Sequence, residues 1–265
     1  ASDVYKRQAL SYANLFWRSF THWIGGMGVL VFMLAILPKN DRNSMHLMRA
    51  EVPGPTVGKI VAKMRFTAQI LYAIYIALTA IMVVFLLCGK MPLFDSLVNA
   101  FATAGTGGFA IKSASIAAYN SAYIDIVITV FMLIFSVNFT LYYLLLIGSV
   151  KQVLKNEELR AFFIIVIVSI LLISVNILPQ YDSFGRALRD AAFQVATIIS
   201  TTGFATADFN LWPTFSKVIL VVLMFVGACA GSTGGGLKIS RIIVMVKTAF
   251  AQIKHQISPR SVVSV

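Results

Sequence analysis

The chain has 265 residues, of which 58% are hydrophobic and only 12% are charged. Soluble domains carry roughly 25% charged residues, so this composition excludes an ordinary soluble domain and predicts a membrane protein with several spans. We interpret the net charge of +12 as the Lys and Arg excess of cytoplasmic loops and expect no nucleic-acid partner. The two cysteines, Cys88 and Cys229, lie inside separate apolar segments and indicate neither a disulfide framework nor a metal site.

Five apolar segments reach the roughly 20 residues that a helix needs to cross a bilayer. They comprise residues 15–37, 70–88, 123–147, 162–178 and about 215–245. The third segment is expected to form one helix, interrupted only by the polar side chains of Asp125 and Asn138. The fifth is expected to break at the glycine-rich stretch GACAGSTGGGLK, residues 227–238.

Two other segments begin with a helical stretch that is too short to span a membrane and then become rich in glycine. Each contains the pattern T-x-G-F-A, at residues 106–110 and residues 201–205, so the two copies lie 95 positions apart. At the same offset Asp95 aligns with Asp190. The sequence therefore predicts a repeated unit that consists of a helix, a re-entrant hairpin and a second helix.

The hairpin residues have the chemistry that a dehydrated cation requires. Backbone carbonyls replace the water shell of an ion, glycine lets them adopt directions that a Cβ forbids, and threonine adds a hydroxyl oxygen. A short helix that points into the membrane brings its negative C-terminal end near the ion. T-x-G-F-A is also similar to the T-V-G-Y-G filter of potassium channels. One copy is typical of an ordinary turn, whereas two copies after two short helices favour an ion filter.

Lys and Arg side chains are concentrated on one side of the predicted spans. Residues 39–65, residues 151–160 and the segment after residue 237 carry most of them, which predicts that these segments are cytoplasmic. Both hairpins would then face the outside of the membrane.

Several polar residues leave alternatives open. Asn138 either contacts the glycine-rich stretch or a cavity, or it bonds to a neighbouring helix. Asp95 and Asp190, which are predicted to open the two short helices, either stabilise the positive helix ends or contact ions. His22 lacks a second metal ligand at helical spacing and is expected to pack. GSTGGGLK is not a phosphate-binding loop because Leu237 occupies the lysine position, and no set of residues suggests an enzyme.

Several stretches together resemble the Trk/Ktr/HKT superfamily, and more closely the TrkH-type membrane subunits of bacterial potassium uptake systems. These stretches are FWRSFTHWIGGMGVLVFMLAILP, EVPGPT, TAGTGGFA, STTGFATADFNLWP and GACAGSTGGGLKISR. The resemblance extends from residue 15 to about residue 247. It implies an all-α polytopic membrane protein with repeated helix–pore-hairpin–helix units, as in potassium channels. Four such units would surround one pore, with a broken helix in the third unit.

The resemblance also implies roles for individual residues. The implied K+ filter consists of Thr106, Gly107, Gly108, Thr201, Thr202 and Gly203. The implied filter supports are Phe109, Phe204, Asp95 and Asp190. An intramembrane gate loop below the filter would comprise Ala230, Gly231, Ser232, Thr233, Gly234, Gly235 and Gly236, with Asn138 at the gate or the cavity. K+ at the filter would be the only metal.

By this resemblance the chain is a fragment, because the filter of the first unit and the whole fourth unit are expected outside it. The expected divisions are 1–11, a foreign or disordered leader; 12–38, the last helix of unit 1; 39–65, a basic cytoplasmic loop; 66–150, unit 2; 151–160, a cytoplasmic loop; 161–250, unit 3; and 251–265, a cytoplasmic tail.

The implied function is K+ transport across the bacterial inner membrane, with no cofactor bound by this chain. The implied partners are a second copy of the membrane subunit, membrane lipid, and a cytoplasmic TrkA- or KtrA-like regulatory ring that binds NAD or ATP. The alternative is a secondary transporter of another small solute or of Na+, with the broken helix as its binding site.

Overall fold

The structure, a computed structural model, describes residues 11–28 and 64–257. Within them the α-helices are α1 (Tyr12–Gly26), α2 (Met64–Cys88), α3 (Leu93–Ala104), α4 (Ala122–Phe135), α5 (Phe139–Leu146), α6 (Val150–Leu154), α7 (Glu157–Ile177), α8 (Phe184–Ile199), α9 (Thr214–Phe225) and α10 (Ile239–Ile257). Short 3₁₀ helices cover Ser115–Tyr119, Leu178–Gln180 and Phe209–Leu211. Most of the predicted leader and the basic loop, the end of the first span and the end of the tail lie outside the described residues.

Two of the described helices, α2 and α7, are long and apolar enough to cross a membrane. Their apolar stretches are Thr67–Cys88 and Glu157–Gln180. Large apolar side chains on both helices are exposed, among them Val84 at 58% and Ile164 at 61%, which suits contact with lipid. Helix α7 begins at Glu157, five residues before the apolar segment read from the sequence, because Asn156 caps it, accepting a hydrogen bond from the Leu159 backbone at 2.8 Å. The prediction of a helical polytopic membrane protein is confirmed.

The prediction of one continuous helix over residues 123–147 is wrong. The segment forms α4 and α5, which are bent by 91° at the break after Phe135. The stretch contains neither glycine nor proline, the residues that most often break a helix. Instead, Asn138 starts a new helix by accepting a hydrogen bond from the Thr140 backbone at 2.9 Å.

The predicted break in the fifth span is present. Helix α9 ends at Phe225, α10 begins at Ile239, and the glycine-rich residues between them are not helical. We call residues 226–238 the intramembrane loop.

The two short helices of the repeat, α3 and α8, occupy equivalent positions. Helix α3 packs against α1, and α8 packs against α4, so each contacts the second helix of the unit that precedes it in the predicted repeat. Each also packs within its own unit, α3 against α2 and α8 against α7. The buried residues form two apolar clusters, one around α2 to α4 and one around α7 to α9, as two successive units require.

Candidate functional site

The two short helices end in the same hydrogen-bonded motif. After α3 the backbone N–H groups of Thr106 and Gly107 donate to the carbonyls of Thr103 and Ala102, at 3.0 and 2.8 Å. After α8 the backbones of residues 201 and 202 donate to those of residues 198 and 197 in the same way, at 3.0 and 2.9 Å. This is the Schellman motif, which normally places glycine in a left-handed conformation just beyond the helix.

Threonine takes the place of that glycine in both copies. Thr106 has φ +54° and Thr201 has φ +59°, a region that is strained for a β-branched residue. Two residues later Gly108 and Gly203 also have positive φ, +63° and +87°. The hairpins therefore share one backbone conformation at the positions that the T-x-G-F-A repeat aligns.

The hairpins contact each other directly. A Cβ added to Gly108 would overlap the carbonyl oxygen of Thr202, so this contact requires glycine at position 108. Farther along, Ala117 donates its backbone N–H to the Ala205 carbonyl at 3.2 Å, and Ala205 donates to the Ser115 hydroxyl at 3.2 Å. The structure thus brings together the residues that were predicted to form the filter.

The aromatic residues of the two patterns lie against protein. Phe204 is buried in the first apolar cluster, and Phe109 lies 4.6 Å from the Arg18 guanidinium. His22 packs edge-on against Phe109, with ring centroids 5.2 Å apart, and contacts the backbone of Gly107. The prediction that His22 packs therefore holds, but the sequence did not indicate that it packs against a hairpin.

The two aligned aspartates differ in position. Asp95 lies in the first turn of α3, as predicted, and accepts a hydrogen bond from the Tyr119 phenol at 2.7 Å. Burial and this hydrogen bond raise the pKa of Tyr119, so the phenol stays protonated and donates. Asp190 does not open its helix, because α8 already begins at Phe184. It is buried inside the helix, where its carboxylate lies 3.8 Å from the Arg189 side chain.

The intramembrane loop is closed at its neck by backbone pairing. Gly227 donates to the Leu237 carbonyl at 2.9 Å, and Leu237 donates to the Phe225 carbonyl at 3.3 Å. A Cβ at Gly227 would overlap the Gly235 carbonyl oxygen, so the two arms approach as closely as they do only because that residue is glycine. Residues 228–236 form a compact turn beyond this neck.

The loop inserts into the break between α4 and α5. Backbone N–H groups of Cys229 and Thr233 donate to the carbonyls of Ser136 and Phe135, at 3.1 and 3.3 Å. In return, Phe139 donates to the Gly231 carbonyl at 3.0 Å. Each broken helix thus provides hydrogen-bond partners for the free backbone groups of the other. Such partners are needed inside a membrane, where water is not available to these groups. The Asn138 side chain caps α5, and its Oδ1 atom faces Gly231.

The loop also contacts the base of both hairpins. The Thr106 hydroxyl shares its proton between the Gly105 carbonyl at 2.7 Å and the Thr233 carbonyl at 3.1 Å. The Gly235 backbone donates to the Thr201 hydroxyl at 2.7 Å. These groups and α1 enclose an open cavity of about 430 Å³ lined by Thr21, His22, Gly25, Gly26, Gly105, Thr106, Thr201, Thr233 and Gly235. Residues of the predicted filter and of the predicted gate loop therefore border the same space.

Charged residues that hold the loop were missed or left open by the sequence. Lys238, at the start of the basic segment after residue 237, donates its ammonium to the Gly234 carbonyl and so anchors the loop. Glu158 accepts hydrogen bonds from the backbones of Ala230 and Ser240, at 2.7 and 3.1 Å. In the sequence Glu158 follows a helix cap and indicates only a favourable charge at a helix start.

Comparison with known proteins agrees with this architecture. The family model for TrkH, described as "Cation transport protein", matches residues 1–265. Trk system potassium uptake protein TrkH of Salmonella typhimurium is 38% identical over 272 residues, covering 100% of this chain and 56% of that protein. The TrkH protein of Vibrio parahaemolyticus is 39% identical over 264 residues, with 96% and 53% covered. TrkG of Escherichia coli is 32% identical over 261 residues, with 97% and 54% covered.

A solved structure supports the same assignment. The crystal structure of the potassium transporter TrkH from Vibrio parahaemolyticus superposes with a TM-score of 0.82 at 34% sequence identity, covering 97% of this chain and 53% of that one. The chain thus spans about half the length of the curated relatives it matches. The relatives are named as transport proteins rather than enzymes. The chain belongs to the TrkH family of cation transport proteins.

Proposed function

We propose that this chain contributes two filter hairpins and a gate loop to the pore-forming membrane subunit of a K+ uptake system. K+ would lose its water to backbone carbonyls of Thr106, Gly107 and Gly108 on one side and of residues 201–203 on the other. The observation that carries this proposal is the shared conformation of the hairpins, with threonine and then glycine at positive φ in both copies. Strained backbone of this kind persists where function requires it.

The electrostatics of the site support a cation as the ligand. Helices α3 and α8 both end directly before their hairpins, so their negative C-terminal ends lie at the hairpin bases. At the base of each hairpin the threonine hydroxyl also lies 2.7 Å from the carbonyl oxygen of the preceding residue, Gly105 for Thr106 and Ser200 for Thr201. Neither hairpin segment carries a charged side chain at residues 103–110 or 198–205, so an ion would not be trapped by a net charge.

The intramembrane loop would close the path below the filter. It borders the same cavity as Thr106 and Thr201 and is hydrogen-bonded to both. Permeation would then require the loop to withdraw, and residues 230–236 would act as the gate. Asn138, Phe109, Phe204, Asp95 and Asp190 would support this assembly through the contacts described above.

The cellular setting follows from the charge distribution and the relatives. We place the protein in the bacterial inner membrane, with the hairpins outside and the basic segments in the cytoplasm. The relatives are named as parts of Trk systems, which supports a membrane subunit that works with further components. We propose that these are a second membrane subunit and a cytoplasmic ring that binds NAD or ATP.

Ion flux through proteoliposomes tests the proposal. The full-length protein that carries this chain is expected to conduct K+ in preference to Na+, and Gly203→Ser is expected to lower that preference. Gly148→Ser is the matched control, since Gly148, like Gly203, has positive φ and no described atom within 4 Å of its Cβ position, and it lies outside the hairpins. An unchanged ion preference in Gly203→Ser would contradict the filter assignment. Saturable uptake of another solute without K+ flux would instead support a secondary transporter.

A further inference from the structure

Glu158 joins the intramembrane loop to the start of α10. One oxygen of its carboxylate, Oε1, accepts a hydrogen bond from the Ala230 backbone at 2.7 Å and another from the Ser240 backbone at 3.1 Å. Ala230 lies in the first arm of the loop, and Ser240 lies in the first turn of α10, directly after the second arm. A single side chain on α7 therefore fixes both the loop and the helix that follows it.

The neighbouring acid makes a different kind of contact. Glu157 pairs with Lys247 of α10 at 2.6 Å, but both side chains are about half exposed, at 59% and 48%. Exposed ion pairs contribute little, whereas a carboxylate that accepts two backbone N–H groups forms strong, charge-assisted hydrogen bonds. Glu158 is only partly exposed, and its donors, the backbone N–H groups of Ala230 and Ser240, have no other hydrogen-bond acceptor among the described residues.

The remaining contacts of the loop lie toward the hairpins and the helix break. Thr106 and Thr201 contact Thr233 and Gly235, and the carbonyls of Phe135 and Ser136 accept from the backbones of residues 233 and 229. Ile239, the first residue of α10, also donates its backbone N–H to the Ala228 carbonyl at 3.3 Å. Glu158 adds a side-chain contact that joins the loop and α10 to the start of α7. If α10 shifts relative to α7, the carboxylate has to release Ser240, Ala230 or both.

We propose that Glu158 is a positioning residue that holds the intramembrane loop closed and couples its position to α10. This inference depends on the proposed K+ path, because it assigns Glu158 a role in closing that path. It does not depend on the identity of any partner. A movement of α10 would weaken the carboxylate bridge, free the loop from its resting position and increase permeation.

Flux measurements in the full-length protein test the inference. In proteoliposomes that lack the proposed cytoplasmic ring, Glu158→Ala is expected to raise K+ flux about tenfold, the change that loss of a charge-assisted anchor produces. Glu158→Gln keeps an oxygen that accepts from the same N–H groups, so its increase should be smaller. Glu157→Ala, the matched control in the same turn of α7, should stay within about twofold of wild type. The ratio of K+ to Na+ flux should not change in any of the three variants, because none alters the filter.

The native thiol of Cys229 offers a readout that is independent of ion flux. Cys229 is fully buried next to Ala230, whereas Cys88 is exposed and can be replaced by serine. In protein that keeps only Cys229, Glu158→Ala is expected to increase the rate of maleimide labelling about tenfold, while Glu157→Ala leaves it unchanged. A residue that served only global stability would instead lower the yield of folded protein without a gain in flux.

The outcomes separate this inference from the proposed function. If wild type conducts K+ but Glu158→Ala and Glu158→Gln match it in both flux and labelling, the positioning role is wrong. A loss of flux in Glu158→Gln with unchanged labelling would also overturn it. If wild type conducts no K+, the proposed function fails, and the labelling rates alone still decide whether Glu158 holds the loop. Should Glu158→Ala fail to fold, Glu158→Gln provides the same two measurements.

Discussion

The two hairpins share a backbone conformation but differ in what surrounds them. In the first hairpin, Gly108 lies directly against the Thr202 carbonyl, and His22 packs against Gly107. In the second hairpin, no described atom lies within 4 Å of the position that a Cβ on Gly203 would occupy. Thr106 is buried, whereas its counterpart Thr201 is exposed. The backbone at Gly108 is therefore held by packing as well as by its own conformation, whereas the backbone at Gly203 has open space beside it.

This difference separates two reasons for the presence of glycine. At position 203 the positive φ alone favours glycine, because space for a side chain is available. At position 108 the positive φ and the contact with Thr202 both require it. The same motif should therefore tolerate substitution to different extents in its two copies, and variants at paired positions measure that difference.

Gly108→Ala should have the largest effect. A left-handed conformation costs an L-residue about 1–2 kcal/mol, and overpacking adds about 1–3 kcal/mol. We expect K+ flux to be lost and the melting temperature of the purified full-length protein to fall, as measured in proteoliposomes and by thermal unfolding in detergent. A Gly108→Ala variant with the melting temperature and the K+ flux of wild type would show that the hairpins do not contact each other at Gly108 and Thr202.

Gly203→Ala should be milder, because it meets only the conformational cost of about 1–2 kcal/mol. We expect this variant to be purified in folded form with a smaller decrease in melting temperature than Gly108→Ala shows. Its K+ flux should be reduced but measurable. The comparison fails if the two alanine variants are equally destabilised, since position 203 would then be as tightly packed as position 108.

The hydroxyls that contact the loop should show the next effect. Thr201→Val keeps the shape of the side chain but removes the acceptor for the Gly235 N–H. We therefore expect K+ flux in the absence of the proposed cytoplasmic ring to rise roughly three- to tenfold. Thr106→Val removes the donor to the Thr233 carbonyl and should act in the same direction. K+ flux into proteoliposomes that lack this ring measures both effects.

Serine variants are the controls for these hydroxyls. Thr201→Ser and Thr106→Ser keep the hydroxyl group and remove only a methyl group, so their flux should stay close to that of wild type. If the valine and serine variants behave alike, the hydroxyl contacts seen between loop and hairpins do not hold the loop in place.

Much of this arrangement was predictable from local sequence. Long apolar runs predicted α2 and α7, and the glycine-rich stretch predicted the break after Phe225, because composition decides both features. The repeat of T-x-G-F-A predicted that two hairpins would be equivalent, and their positive φ angles coincide at the aligned positions. What local sequence determines, such as hydrophobic length and the conformational freedom of glycine, was predicted correctly.

The features that were missed depend on distant partners. At the break between α4 and α5, the Ser136 carbonyl accepts a hydrogen bond from the Cys229 backbone. Because Cys229 lies far away in the sequence, the residues around Ser136 do not indicate this partner. Asp190 was predicted to open its helix because it aligns with Asp95, but Ser183 caps α8 earlier by accepting from the Arg186 backbone at 3.3 Å. The role that we propose for Glu158 likewise becomes visible only when the two loop arms are brought beside it.

The smallest effect should come from the tyrosines that contact the two aligned aspartates. Tyr119→Phe removes the 2.7 Å hydrogen bond to Asp95 and should destabilise the protein by about 1 kcal/mol. Tyr181→Phe is the counterpart for Asp190. It should cost less, because Asp190 also lies near the Arg189 side chain, which stabilises the carboxylate in the absence of the phenol.

The effect of pH on the stability of the Tyr119→Phe variant gives a further test of the contact between Tyr119 and Asp95. Burial raises the pKa of both phenols above the ordinary value of about 10. A group whose pKa is raised by folding stabilises fully below its unfolded pKa, and that stabilisation is lost only as the pH rises toward the folded pKa. The difference in melting temperature between wild type and Tyr119→Phe should therefore be the same at about pH 7 and pH 9. A difference that shrinks over this range would show that the Tyr119 phenol ionises there, and the hydrogen bond to Asp95 would then not be what holds the start of α3.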